Sequence, residues 1–369
     1  MSAVVEQRTE KPLVTVVINN YNYARFLRAA IDSVLAQTYD RLEVVVVDDG
    51  STDDSRSVIA SYGGRVRSIF KVNGGQGSAY NAGFRESRGE LILFLDSDDL
   101  LDPDAVKETV KLWAPDVAKI HFYLRVISGE EGEPTSSVTP ANTLADGDLR
   151  AQIIQTGYYC GPPSSGNVYS RRALESVMPI PESTWPKAAD TFPVYLTPFE
   201  GRVSACRRIL GSYRIHGRNQ GAQGDVDAKL MRYNLQKEQR RDDMLATFFA
   251  ARGIPYKAGS VSRNFHHLKT RLASLALDAS QHPYPQDRLF TLSFQTAKAC
   301  WNTSGLSISK KLSVTLWALC LMSAPQKYRL RAVELAFMPT KRSRVMQQVV
   351  AKAPNALRST LDSRRPATP

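Results

Sequence analysis

The chain is expected to open with an α/β domain, an open sheet wound with helices, and to close with a mainly helical region. Two observations predict this division. Short β-branched runs alternate with helical stripes over the first 127 residues, and beyond Asp225 Leu, Ala and Phe recur at helical spacing with basic residues on the alternate faces. A third observation, seven prolines between Pro162 and Pro198, predicts an irregular, substrate-facing lobe between them.

LVTVVI (13–18) and LEVVVV (42–47) are apolar on both faces, as strands covered by helices are. Between them Phe26, Leu27, Ala30, Ile31, Val34 and Leu35 recur at three- and four-residue steps and mark one helical stripe, completing a βαβ unit. Ser51 and Asp54 are spaced for a capping box ahead of a helix reaching about Tyr62; VRSIF (66–70) reads as a strand and Ser78 to Glu86 as a helix. ELILFL (90–95) is a fourth strand that runs straight onto Asp96-Ser97-Asp98-Asp99. Pro103 suits a first helical turn and IHFYLRVI (120–127) a further strand. Residues 128–147, rich in Gly, Pro, Ser and acid, read as a loop or flexible hairpin tip.

At 369 residues there is room for two domains, and with 43% apolar and 23% charged residues most of the chain can bury a core. Cys160, Cys206, Cys300 and Cys320 are widely spaced with no CxxC pair, which argues against a disulfide framework or thiolate metal site and points to a reducing, cytoplasmic address. The net charge of +12 is uneven. Residues 1–224 hold 24 basic and 27 acidic side chains, whereas residues 225–369 hold 24 and 9, a net +15 that suits an anionic surface. MSAVVEQRTEKP at the start has no apolar h-region, so no signal peptide is expected. The longest apolar run, Leu312 to Met322, is about half the ~20 residues that cross a bilayer, so no spanning helix is expected.

Ligands of an open parallel sheet bind outside the carboxyl ends of its strands. The four strands are followed by Asn19-Asn20-Tyr21-Asn22-Tyr23, by Asp48-Asp49-Gly50-Ser51-Thr52-Asp53, by Asn73-Gly74-Gly75-Gln76-Gly77 and by Asp96-Ser97-Asp98-Asp99. Each piece alone is an ordinary turn or helix cap; all four at one edge point to a site. Asp96 and Asp98, two residues apart, can offer hard oxygens to one cation, with Mg²⁺ or Mn²⁺ the natural occupant and positions left for phosphate and water.

At these residues the chain resembles the family 2 glycosyltransferases of GT-A fold. The resemblance rests on VTVVINNYNYARFLRAAIDSVLAQTY, EVVVVDDGSTDDS and NGGQGSAYNAGFRESRGELILFLDSDDLLDPD, in that order, and covers roughly residues 12–220. It implies a Rossmann-like mixed sheet flanked by helices. It also implies metal-dependent, inverting transfer of one sugar from a nucleoside-diphosphate donor, UDP favoured, to a glycan or lipid-linked acceptor in cell-surface polysaccharide biosynthesis. By the same resemblance Tyr21 and Asp49 hold the nucleotide base with Asn19 nearby, Gly77 and Asn81 lie on the nucleotide side, Asp96 contacts ribose or metal, and Asp98 is the principal Mn²⁺ or Mg²⁺ ligand of a DxD motif.

The family's general base is usually the Asp of a Glu-Asp pair, and WPKAADTFPVYLTPFEG puts Ala189-Asp190 at that place: the Asp is present, the Glu is not. A carboxylate beside the anomeric carbon can take the acceptor hydroxyl's proton as the oxygen attacks opposite the departing diphosphate. A helix N-cap ahead of Thr191 is the alternative role for Asp190. LGSYRIHGRNQ (210–220) resembles the segment that closes over the diphosphate, with His216 as metal ligand or phosphate donor and Arg214 as a phosphate partner; GPPSSGNVYSRRAL (161–174) would line the acceptor side.

No QxxRW motif is present, which favours one sugar per encounter over chain extrusion. A dehydrogenase would carry GxGxxG after the first strand, and a nucleotidyltransferase a glycine-rich basic loop there; INNYNY is neither. From a different class, a catalytically silent nucleotide-sugar binder or membrane scaffold is the alternative. LSISKKLSVTLWALCLMS (306–323), with Lys310 and Lys311, and the cluster Lys327, Arg329 and Arg331 suit either packing on themselves or on a second copy, as in a homodimer, or in-plane docking on the anionic inner face of the plasma membrane. Nucleic acid is not expected, since aromatic residues are not interleaved with the basic ones. The expected division is a polar tail 1–11, a catalytic domain 12–222 with a nucleotide half of about 12–127 and an acceptor half of about 148–222, and a basic, mainly helical region 225–369.

Overall fold

The expected first strand, β1, spans Val14–Asn20 in the computed structural model, which describes residues 11–217, 226–257, 259–303 and 306–337. The tail before Lys11 and the end of the 210–220 stretch lie outside the described residues. Helix α1 (Ala24–Leu35) buries the stripe Phe26, Leu27, Ala30, Ile31 and Val34, and the alternation continues through β2 (Leu42–Asp48), α2 (Ser55–Ala60), β3 (Arg67–Phe70), α3 (Gln76–Glu86) and β4 (Leu91–Asp96). Short β5 (Leu100–Leu101) and α4 (Ala105–Val110) lead to the 12-residue β6 (Val117–Ser128), then β7 (Glu133–Thr139), α5 (Arg150–Thr156), β8 (Asn167–Ser170), α6 (Arg171–Glu175), α7 (Thr191–Leu196) and the 14-residue β9 (Arg202–Ile215).

Two local expectations are corrected. No side-chain capping bond forms from Asp54; Asp53 instead accepts from the Ser55 backbone N–H at 3.1 Å, while the Ser51 hydroxyl is drawn off to the Asn22 N–H at 2.9 Å. The stretch after Ser128 is also more than a loop. Gly129 and Gly132 turn with φ of 72° and 75°, and β7 then pairs antiparallel with the far end of β6.

The sheet order is β3-β2-β1-β4-β8-β6-β9-β5, with β7 beside β6. The first four strands are parallel, as in a wound α/β sheet, but β8 enters antiparallel between β4 and β6 and makes the whole sheet mixed. Side-chain alternation feeds two cores. Val14, Val16 and Ile18 pack with α1 on one face, and Val17, Val45, Val47 and Phe94 pack with Tyr80 and Trp185 on the other.

The chain divides into two units, Met1–Gly224 with Arg240–Val261, and Asp225–Gln239 with Ser262–Pro369. Helix α8 (Ala228–Ala251) is shared between them, and short α9 (Ser260–Arg263) follows. The second unit holds α10 (Phe265–Leu277), α11 (Leu289–Asn302), α12 (Ile308–Ser323) and α13 (Gln326–Phe337) around Leu268, Leu272, Leu292, Ala318, Leu321 and Val333. Among the described residues no helix is long and apolar enough to cross a membrane.

Candidate active site

Parallel pairing of β1 with β4 sets Asn19 opposite Asp96, and the Asn19 amide donates to Asp96 Oδ1 at 2.9 Å. One strand over, Asn20 lies opposite Asp48 and donates to its Oδ1 at 3.0 Å, which shapes the turn that leaves Tyr21 exposed at the rim. Asp49 is buried and held at three points: by the Lys71 ammonium at 2.5 Å and by the Gly74 and Gly75 N–H groups at 3.0 and 2.7 Å. Gly75 has φ 85°, and a Cβ there would sit 2.6 Å from the Pro186 carbonyl; one at Gly77 would sit 2.7 Å from that of Trp185. Only glycine admits this approach of the loop to the 185–186 segment.

Asp96 and Asp98 leave the sheet edge together with the buried Asp99. Burial, then the Asp98 charge, raises the Asp96 carboxyl above the usual range, and burial with both neighbouring carboxylates raises Asp99. Asp99 is not exposed chemistry but an anchor: it accepts from the Ser165 hydroxyl at 2.6 Å and from the Arg214 N–H at 2.9 Å. Arg214 is buried, its guanidinium donating to the carbonyls of Asp98, Gly129 and Glu130 at 3.0, 3.1 and 2.9 Å while lying over the Phe26 ring. It braces the acidic turn. His216 Nε2 donates to Asp98 Oδ2 at 3.0 Å, its ring packed against Tyr23 and Phe26.

Asp190 stands immediately before α7 and makes no side-chain capping bond, so the capping alternative is not realised. Its position is fixed by its neighbours. Ala188 adopts φ 54°, a conformation that costs an alanine roughly 1 kcal/mol or more. Ala189, wholly buried where the family's Glu would stand, donates its N–H to Gln76 Oε1 at 2.9 Å. The Gln76 amide reaches back to Asp96 Oδ1 at 3.5 Å, so one side chain spans the interval from the acidic turn to the segment carrying Asp190. The charge of Asp190 is felt at Asp96, Tyr80 and Tyr169. Asn81 does not join this group: its amide donates to the Ile180 carbonyl and Glu182 at 2.9 and 3.0 Å, and its oxygen accepts from the Ile180 N–H.

Lys119, fully buried on β6, donates to the Tyr159 hydroxyl at 2.6 Å, which in turn donates to the Val194 carbonyl at 2.6 Å. Burial depresses its ammonium to about 7, with the Asp190 charge opposing. Gln76, Asp99 and Ser165 lie in stretches that sequence reasoning marked but gave no role of their own, whereas Lys71 and Lys119 are contributors that it missed. Only Lys119 left a signal, a lysine inside the otherwise apolar run VAKIHF.

The donor set fits a hard divalent cation. Crowded carboxylates repel one another without one, and Asn19 Oδ1 is buried with no protein partner. Among the described residues no three His, Cys, Asp or Glu side chains gather as a complete metal cage.

An uncharacterized glycosyltransferase of Nostoc sp. is 42% identical over 212 residues, 56% of this chain and 66% of that protein. Chondroitin synthase of Escherichia coli is 35% identical over 179 residues, 47% of this chain and 23% of that protein. The chain therefore spans under two thirds of either relative's length. S. aureus TarS in complex with UDP-GlcNAc, a solved structure, is 16% identical with a TM-score of 0.48, covering 89% of this chain and 92% of that one. Residues 15–177, which hold β2, β3 and β4 whole and all but the first residue of β1 with the turns just described, match the description "Glycosyl transferase family 2", so this part of the chain belongs to the family 2 glycosyltransferases.

Proposed function

We propose that this chain is a metal-dependent inverting glycosyltransferase. It moves a single sugar from a nucleoside-diphosphate donor, UDP favoured, to a glycan or lipid-linked acceptor during polysaccharide synthesis. The observation that carries the reading is the Gln76 link between Asp96 and the backbone beside Asp190, which ties a donor-side carboxylate to the candidate base. Similarity to chondroitin synthase supports the polysaccharide context.

Asp98, with Asp96 behind it, would hold Mn²⁺ or Mg²⁺, which when bound supplies charge neutralisation for the diphosphate as it leaves. His216 orients Asp98 through their hydrogen bond, and Arg214 fixes the turn's backbone. The exposed Tyr21 ring and the loop at Gly74–Gly77 border the space for the base and ribose. Asp190 accepts the acceptor hydroxyl's proton as that oxygen attacks the anomeric carbon, one displacement with inversion.

The test is a transfer assay with UDP-, GDP- and dTDP-sugars and Mn²⁺ on the full chain, alongside calorimetric binding. Turnover of a donor that Asp190→Asn still binds but no longer uses supports the reading; donor binding with no turnover under any pairing assigns the chain as a silent nucleotide-sugar binder instead.

A further inference from the structure

The second unit buries one side of its helical hairpin and leaves the other bare. On α11 the buried positions are Leu292, Ser293, Thr296 and Cys300, whereas Phe290, Phe294, Lys298 and Trp301 fall at i, i+4, i+8 and i+11 and share the outer stripe. On α12 Ala318 and Leu321 face the core, and Ile308, Leu312, Leu316 and Leu319 repeat the same outer spacing. The seven large apolar side chains of these two stripes are each 46 to 70% exposed. The stripes adjoin at Trp301: its indole N–H donates to the Thr315 hydroxyl at 3.0 Å, and the Lys311 ammonium donates to its carbonyl at 2.8 Å.

Monomeric proteins rarely leave so many large apolar groups together in water. Charge selects the occupant. Residues 288–333 contain seven Lys or Arg and no Asp or Glu, within a region of net +15. Stacking this face on a second copy would bring like charges together, whereas anionic headgroups would neutralise them as Phe, Trp and Leu enter the acyl boundary. Neither helix is a candidate membrane span, so the hairpin would lie in the interface plane.

We propose that the outer face of the α11–α12 hairpin is a docking surface for an anionic lipid bilayer. This goes beyond the catalytic reading and does not depend on it, because its readout involves no donor, metal or transfer. The experiment is flotation of the full chain with phosphatidylcholine vesicles with and without phosphatidylglycerol, comparing the parent with a Phe294→Ser/Leu312→Ser/Leu316→Ser variant and with Lys310→Glu/Lys311→Glu. Circular dichroism and melting are followed to confirm that each variant stays folded; should the triple variant unfold, Leu316→Ser alone takes its place. The parent is expected to float with phosphatidylglycerol vesicles only, and both variants to lose roughly tenfold or more in partitioning. Flotation unchanged by the stripe substitutions overturns the proposal. So does parental binding to neutral vesicles alone, or a parental dimer in sedimentation equilibrium that the same substitutions dissolve with no lipid effect, which assigns the face to a second copy.

Discussion

Lys119 donates its ammonium to the Tyr159 hydroxyl at 2.6 Å with both side chains shut away from solvent, and the charge of Asp190 favours its protonation. A buried lysine is costly to keep protonated, and this one sits at about 7 in the folded chain against 10.5 in the free side chain. Between those values the unfolded chain binds the extra proton, so the folded state is penalised most below about pH 7 and gains roughly 1 kcal/mol per pH unit as pH rises through the window. Lys119→Met is therefore expected to stabilise the protein near pH 7, with the advantage shrinking toward pH 9. Denaturant melts of parent and variant at the two pH values check this; a gap of equal size at both would contradict it.

Asp190→Asn keeps the volume of the side chain and removes the proton acceptor. Transfer is expected to fall by on the order of 10²–10⁴, with donor affinity changed little. Single-turnover rates and calorimetric binding separate the two effects, and near-parental turnover would remove Asp190 from the chemistry.

Asp98→Asn loses one of the two hard carboxylates and the charge that His216 addresses. The expected outcome is loss of Mn²⁺-enhanced uptake of a sugar nucleotide, measured by titration with and without the ion, while the metal-free binding stays within a few-fold. Enhancement that survives the substitution would show that the cation binds elsewhere.

Gly75→Ala puts a Cβ 2.6 Å from the Pro186 carbonyl at φ 85°. The loop must move, and the Gly75 N–H bond to Asp49 moves with it. A loss of about 1–3 kcal/mol in thermal stability is expected, together with weaker nucleotide binding. A variant that melts with the parent would mean the loop has slack the geometry does not show.

The parallel half of the sheet was legible because its strands are buried on both faces and so read as unbroken β-branched runs such as LEVVVV. The mixed half was not. Strand β8 is only NVYS, and β9 mixes Arg207 and Arg208 into its run because one part of it faces solvent, so neither carries a clean period. Pairing of β8 between β4 and β6 is a non-local choice that no local spacing records. At the rim, residue types at strand ends were readable, while what they touch was not. Asn81 and Gln76 look alike as amides on one helix, yet Asn81 is consumed by Ile180 and Glu182, whereas Gln76 links Asp96 with Ala189. That difference is set by the 180–189 segment, about a hundred residues downstream.

On the proposed assignment of Asp49 to the nucleotide base, its three-point grip bears on base selection. A heterocycle admitted against it would meet an acceptor already locked in one rotamer by an ammonium and two amides, so no torsional freedom is surrendered on docking. Preference among pyrimidine and purine rings would then be decided by the width of the opening beside Tyr21, and widening that opening should relax nucleotide choice before it weakens binding.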